Sequence, residues 1–143
     1  MHFSNSVLIR RATSDVFAFL ADPANIPRWN YAITSTEQVT PGPLGLGTRL
    51  IQNRSLPQQS VEELEVVEYV PDRRLSLRGD LGPLTGTLTY VLDEVAEGTL
   101  LTNIADLSGR GPLGLVAGLG ESRVRRAVAS NLDVLRELLE TPT

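Results

Sequence analysis

The chain reads as an α+β domain: a curved antiparallel sheet of seven strands around a long C-terminal helix, with two short helices after the first strand. Three observations lead there. Between residues 32 and 107, six short β-prone runs are separated by Gly- and Pro-containing breakers, far shorter than the dozen or more residues a parallel crossover needs. After Pro112 the only breakers before Pro142 are Gly114, Gly118 and Gly120, and Val124, Val128, Leu132, Leu135 and Leu139 recur at helical spacing. Finally, 143 residues at 41% hydrophobic content, without cysteine, make one domain over residues 1–143 that can bury a core without staples. A sheet this large has an apolar face to cover, and only the C-terminal helix is long enough to cover it.

The elements follow in order. Residues 3–9 alternate loosely and read as the first strand. Thr13 or Ser14 is placed to cap a helix with Asp15 in its first turn and Val16, Phe17, Phe19 and Leu20 as its apolar face. Asp22-Pro23 stops it, and Asn25, Ile26 and Pro27 begin a second short helix ending near Trp29. Strands are expected at 33–40, 48–55, 60–70, 73–79, 84–93 and 99–107, broken by Pro41 to Gly47, Ser55 to Pro57, Pro71-Asp72, Gly79 to Pro83 and Glu97-Gly98. The last helix is expected to run 25 residues or more, with Glu121–Arg125 and Arg136–Glu140 as i,i+4 ion pairs.

Composition removes many chemistries. All 13 basic residues are arginine, there is no lysine or cysteine, and the one histidine is His2. Thiolate zinc sites, cysteine nucleophiles and lysine Schiff bases are therefore impossible, and a Ser–His–Asp triad would depend on a residue at the chain's end. A net charge of −4 argues against nucleic acid. No run reaches 18 apolar residues, so no membrane span is expected. Arg10 and Arg11 interrupt the only stretch resembling a signal peptide, which predicts a cytoplasmic protein. Gly42, Gly45 and Gly47 lack the lysine of a phosphate-binding loop, and no group has metal-ligand spacing.

Alternation sorts the strand faces. Leu50, Gln52 and Arg54 share one face, Glu62, Leu64, Val66 and Glu68 another, and Leu88, Tyr90 and Leu92 a third. Leu101, Asn103, Ala105 and Leu107 alternate with Leu100, Thr102, Ile104 and Asp106. Trp29, with Tyr31, serves as a wall that stacks a planar ligand or as a plug of the core beneath the short helices. Tyr90 is a proton donor or a core tyrosine. Arg54 orients a ligand oxygen or makes a surface ladder contact with Glu62. Arg78-Gly79-Asp80 reads as a turn, and Arg123, Arg125 and Arg126 as a solvated helix face.

Three stretches carry a resemblance: Val16 to Asp22 followed by Ile26-Pro27-Arg28-Trp29-Asn30; Gly45-Leu46-Gly47-Thr48-Arg49; and Val66 to Leu75 with Gly98-Thr99 and Asn131-Leu132. In these words and their order the chain resembles the START-like, or Bet v 1-like (SRPBCC), superfamily and its bacterial polyketide cyclase/dehydrase group. The resemblance implies a helix-grip fold with a deep cavity between sheet and long helix, and it turns Leu101, Asn103, Ala105 and Leu107 inward, leaving Leu100 and Ile104 exposed. Tyr90, Asn103 and Arg54 become the expected catalytic groups. The expected cavity lining is Trp29, Tyr31, Leu50, Gln52, Leu64, Leu88 and Leu101, with Leu113, Val116, Ala117 and Gly120 from the glycine-rich stretch Gly111–Gly120. The implied activity is ring closure or water loss on a small polyketide-like molecule without a cofactor. A lipid or hydrophobic-ligand carrier, or an interaction module that dimerises through its outer sheet face, uses the same fold.

Overall fold

The computed structural model describes residues 1–109 and 120–141. Its strands are β1 (His2–Ile9), β2 (Ile33–Gln38), β3 (Arg49–Arg54), β4 (Ser60–Val70), β5 (Arg74–Leu81), β6 (Leu84–Val95) and β7 (Gly98–Gly109), and its helices α1 (Thr13–Leu20), α2 (Ile26–Trp29) and α3 (Glu121–Glu140). The strands form one antiparallel sheet in the order β1-β7-β6-β5-β4-β3-β2. The α+β architecture is as the sequence predicts. The β5–β6 and β6–β7 hairpins run longer than expected, with β6 reaching Val95 and β7 starting at Gly98.

The main core lies between the inner sheet face and the three helices. Ile9, Leu50, Val66, Tyr90 and Leu101 from the sheet meet Val16, Phe17 and Leu20 of α1, Ile26 and Trp29 of α2, and Leu132, Leu135 and Leu139 of α3. A second cluster gathers Phe3, Leu84, Ala105 and Leu107 against Val124 and Val128. The apolar stripe of α3 is thus unevenly used. Its C-terminal half is buried, whereas Val124 and Val128 are only half-buried, because the sheet stands away from the helix there.

Gly79 and Gly86 sit opposite each other in the β5–β6 ladder. A Cβ on Gly79 would lie 2.2 Å from the Glu63 carbonyl oxygen, and one on Gly86 (φ +149°) would lie 2.1 Å from that of Asp106. Only glycine fits so close a backbone approach. Beyond this pair lies the β5–β6 tip, from Asp80 to Thr85.

Several local expectations are corrected. Neither Thr13 nor Ser14 caps α1: the N-cap is Ala12, which makes no side-chain cap bond, and Asp15 instead pairs with Arg11 at 3.3 Å. A bulge between Val66 and Glu68 inserts Val67 into β4, so Glu68 leaves the face of Leu64 and Val66 and bonds Arg74 (2.8 Å) and Ser76 (3.2 Å) on the outer side. Within the described residues α3 has 20 residues; the earlier part of the expected helix, with Leu113, Val116 and Ala117, lies outside them. Arg136 turns to Asp133 at 3.8 Å, and Glu140 accepts from the Arg10 backbone N–H at 2.9 Å. Leu100 and Ile104 are half-buried rather than exposed, since Leu8 and Ser4 of β1 pair beside them.

Candidate functional site

Where the sheet stands away from α3 there is a cavity of about 430 Å³. Among the described residues, α3 contributes Arg123, Val124, Ala127, Val128 and Asn131 at its helical repeat, and its N-cap Gly120 adds to them. The β5–β6 tip supplies Leu81, Pro83 and Leu84, and the sheet floor adds Leu88 and Leu107. Asn30, Tyr31 and Ala32 after α2, Arg54 at the end of β3, and Leu56 and Pro57 beyond it complete the wall. Most of it is aliphatic. Tyr31, 60% exposed, stands at the rim.

A smaller chamber of about 30 Å³ lies inward, between Leu20, Ile26, Trp29, Gln52, Leu64 and Tyr90. Asn30, Leu81 and Leu88 border both spaces, so the chamber adjoins the cavity on its inner side. Trp29 and Tyr90 meet there edge to face, their ring centroids 6.1 Å apart. Burial pushes the Tyr90 hydroxyl well above the usual tyrosine range, with its neighbour Asn103 pulling weakly the other way. Tyr90 is therefore a neutral hydrogen-bond donor at any physiological pH. Asn103, its direct partner across β6–β7, is completely buried, and its amide makes no hydrogen bond of normal geometry within the protein. The same is true of Trp29 Nε1 and Asn131 Oδ1.

At the outer end a buried carboxylate organises the rim. Glu62, 2% exposed, accepts from Arg54 Nε (2.7 Å), Gln52 Nε2 (2.9 Å), Ser60 Oγ (3.2 Å) and the backbone N–H of Gly82. Burial works to raise its pKa, but the hydrogen bonds from Arg54, Gln52 and Gly82, with the charge of Arg54, prevail and hold it below the ordinary value of 4.5. The network ties β3 to the β5–β6 tip. The Arg54–Glu62 pair is thus not the surface contact expected: the two side chains are 12% and 1% exposed.

The structure brings Trp29, Gln52, Leu64, Leu88 and Tyr90 together at the inner end and Tyr31, Arg54, Leu88 and Gly120 around the main cavity. Leu50 and Leu101 instead pack in the core, 1% and 0% exposed, outside the wall of either space. Arg123 is exposed, as are Arg125 and Arg126, and it also borders the cavity. Asn131 is a cavity residue that sequence reasoning passed over, and Glu62, read there as a ladder partner of Arg54, is buried behind the wall. The signal for Asn131 was an amide beside Leu132 on the apolar side of a helix, where asparagine has poor propensity. For Glu62 it was a carboxylate sharing a strand face with Leu64 and Val66.

A family model described as polyketide cyclase / dehydrase and lipid transport matches residues 1–140. No curated protein matches the chain. Among solved structures it is similar to a protein from Thermus thermophilus, at 19% identity and TM-score 0.76 over 97% of both chains. A conserved protein from Geobacillus kaustophilus matches at 13% identity and TM-score 0.79, over 97% of this chain and 95% of that one. The di-domain ARO/CYC StfQ from the steffimycin biosynthetic pathway matches at 12% identity and TM-score 0.78, over 97% of this chain and 50% of StfQ. At such identities the structural likeness shows the fold.

Proposed function

The chain belongs to the polyketide cyclase / dehydrase and lipid transport family, and from that premise we propose that it holds a small hydrophobic, oxygen-bearing molecule in the cavity beneath α3 and closes rings or removes water on it without a cofactor. The observation that carries this reading is a largely aliphatic cavity wall beside a smaller chamber lined by the neutral polar side chains of Trp29, Gln52 and Tyr90, with Asn103 buried behind Tyr90 and on neither wall. An aliphatic wall folds a flexible chain by excluding water from it, and shape alone can bring two carbons of one substrate into reacting distance. Tyr90, kept protonated by burial, donates to a substrate carbonyl and so eases enolisation next to it. Arg54, held by Glu62 at 2.7 Å, is a fixed charge at the rim.

A second reading, a carrier that binds without turnover, is favoured by one specific observation. The buried carboxylate at the cavity, Glu62, is committed to Arg54, Gln52 and Gly82. A carboxylate so stabilised is a poor base, and Tyr90 is too weak an acid to ionise near neutrality.

Native mass spectrometry of the purified protein, followed by solvent extraction, separates the two. A retained polycyclic or polyketide-like mass supports the enzyme, and a retained acyl lipid supports the carrier. Val128→Trp, which fills the cavity from α3, abolishes retention in either case. Retention undiminished in a folded Val128→Trp variant would sink both.

A further inference from the structure

Among the described residues, the wall of the main cavity carries no Asp or Glu, and its charged side chains are Arg54 and Arg123, in a chain with 17 acidic residues against 13 basic ones. The two arginines differ in what they already hold. Arg54 is neutralised by Glu62 at 2.7 Å and donates to the Leu56 carbonyl at 3.3 Å, with its side chain 12% exposed. Arg123 is exposed and makes no hydrogen bond or ion pair with any described residue. Its neighbours are occupied elsewhere: the Arg125 guanidinium lies 5.4 Å from the centre of the Phe3 ring, and Arg126 Nε donates to the Ser122 carbonyl at 3.4 Å. Neither lines the cavity. An exposed residue on a cavity wall stands at its mouth, so the cavity joins an aliphatic interior to an unpaired positive charge at its opening. We propose that the molecule held there is an anionic amphiphile, with its apolar body beneath α3 and an oxyacid head, carboxylate or phosphate, at Arg123. This inference rests on the cavity being the binding site and names the class of its ligand.

Helix geometry gives the ligand its length and direction. Arg123, Ala127 and Asn131 follow one another four residues apart on one side of α3, and all three line the cavity. From Arg123 to Asn131 the helix rises about 12 Å, with only the small Ala127 side chain between them on that strip. The space is therefore suited to an extended chain of medium length, or to a ring system as long. The reverse orientation would bury the anion towards the neutral Trp29, Gln52 and Tyr90 of the inner chamber, an expensive place for an unpaired charge. A cationic head would be repelled by Arg123 and would find no free carboxylate behind the wall, since Glu62 is already shared by Arg54, Gln52, Ser60 and Gly82. A neutral head gains little from a guanidinium that water can solvate as well. The planar fork of arginine instead matches the paired oxygens of a carboxylate or phosphate.

The test is isothermal titration calorimetry of the full chain near neutral pH, with probes that share a decyl-length body and differ in the head: decanoate, decyl phosphate, decan-1-ol and decyltrimethylammonium. At least one of the two anions should bind about tenfold tighter than the alcohol, with the ammonium weakest, and the tighter anion identifies the head. That preference should shrink as salt rises from about 50 mM to about 500 mM. Arg123→Gln should bring the anions to the affinity of the alcohol, whereas Arg126→Gln, which is off the wall, should leave the preference intact. Anions no tighter than the alcohol in the wild type, or a preference that survives Arg123→Gln, would overturn the head assignment. The cavity reading would then still stand on binding of the alcohol that Val128→Trp abolishes. No binding by any probe, or binding undiminished in a folded Val128→Trp variant, would overturn the cavity reading itself. The comparison of anion with alcohol and its salt dependence are read on the wild type, so the test does not depend on any variant folding.

Discussion

Replacing Glu62 by glutamine keeps its volume and removes its charge. Four donors converge on that carboxylate: Arg54 Nε, Gln52 Nε2, Ser60 Oγ and the Gly82 N–H. A carboxamide has one accepting oxygen, so at least one donor faces an NH₂ group, and Arg54 keeps a charge whose side chain is only 12% exposed. Breaking one side of a buried pair costs about 3 kcal/mol. With an unfolding entropy of roughly 0.3 kcal/mol per kelvin for a chain of this length, that is a fall in Tm of about 10 °C. Circular dichroism melts of wild type and Glu62→Gln measure it. The pH dependence has a definite sign. Because the folded pKa lies below 4.5, the unfolded chain takes up a proton first as pH falls. The stability due to Glu62 is full above about pH 4.5 and is lost as pH falls through the folded pKa. The gap between the two proteins should thus be constant near neutrality and narrow as pH falls below the ordinary carboxylate value. A gap under about 1 kcal/mol, or one that ignores pH, would refute the buried network. The double variant Arg54→Met/Glu62→Leu should recover most of the loss, since an apolar replacement leaves no stranded charge.

Two further outcomes are expected. Gly86→Ala should destabilise by about 3 kcal/mol or more in urea unfolding, because its Cβ would stand 2.1 Å from the Asp106 carbonyl oxygen at φ +149°; a cost below about 1 kcal/mol would mean the strands do not approach so closely. The folded protein's tyrosinate absorbance step on alkaline titration should be the same in wild type and Tyr90→Phe, because Tyr90 does not ionise in the usual range. A larger step in the wild type would show that its hydroxyl is solvated. The wild type, unlike Tyr90→Phe, should also lose stability to the Tyr90 proton as pH rises past about 10, the unfolded value.

The features legible in the sequence were those decided by local periodicity. The Val124 to Leu139 stripe marks a helix whatever it packs on, and alternation in β7 places Leu101, Asn103, Ala105 and Leu107 on one face, all buried in the structure. What failed depended on partners distant in the chain. Glu68 changes face because one residue of β4 has no counterpart in β5, a property of the pair rather than of either strand. Glu62 is buried because Gly82 folds back onto it, which no local pattern around residue 62 contains. At the start of α1 the segment is held from outside: Thr99 Oγ1 donates to the Arg11 carbonyl at 2.8 Å, and Arg11 reaches the Leu139 carbonyl at 2.6 Å. With the entry fixed by β7 and α3, Thr13 falls inside the first turn and a side-chain cap is dispensable.

These same long-range constraints shape the cavity. The Gly79–Gly86 pair lets β5 and β6 approach β4 and β7 too closely for any Cβ, and the strand tips beyond it become the outer wall. The tip packs Leu84 and Leu81 against the second core cluster. Glu62 supplies the tether, joining Gly82 of the tip to Gln52 and Arg54 of β3, and Gln52 also lines the inner chamber. The carboxylate is therefore spent on holding the wall, and the chemistry of the interior falls to neutral donors and acceptors. A buried charge left free to act as a base would have to give up the bonds that hold this wall in place. In this fold, then, the bonds that hold the β5–β6 tip to β3 and a free carboxylate at position 62 exclude each other.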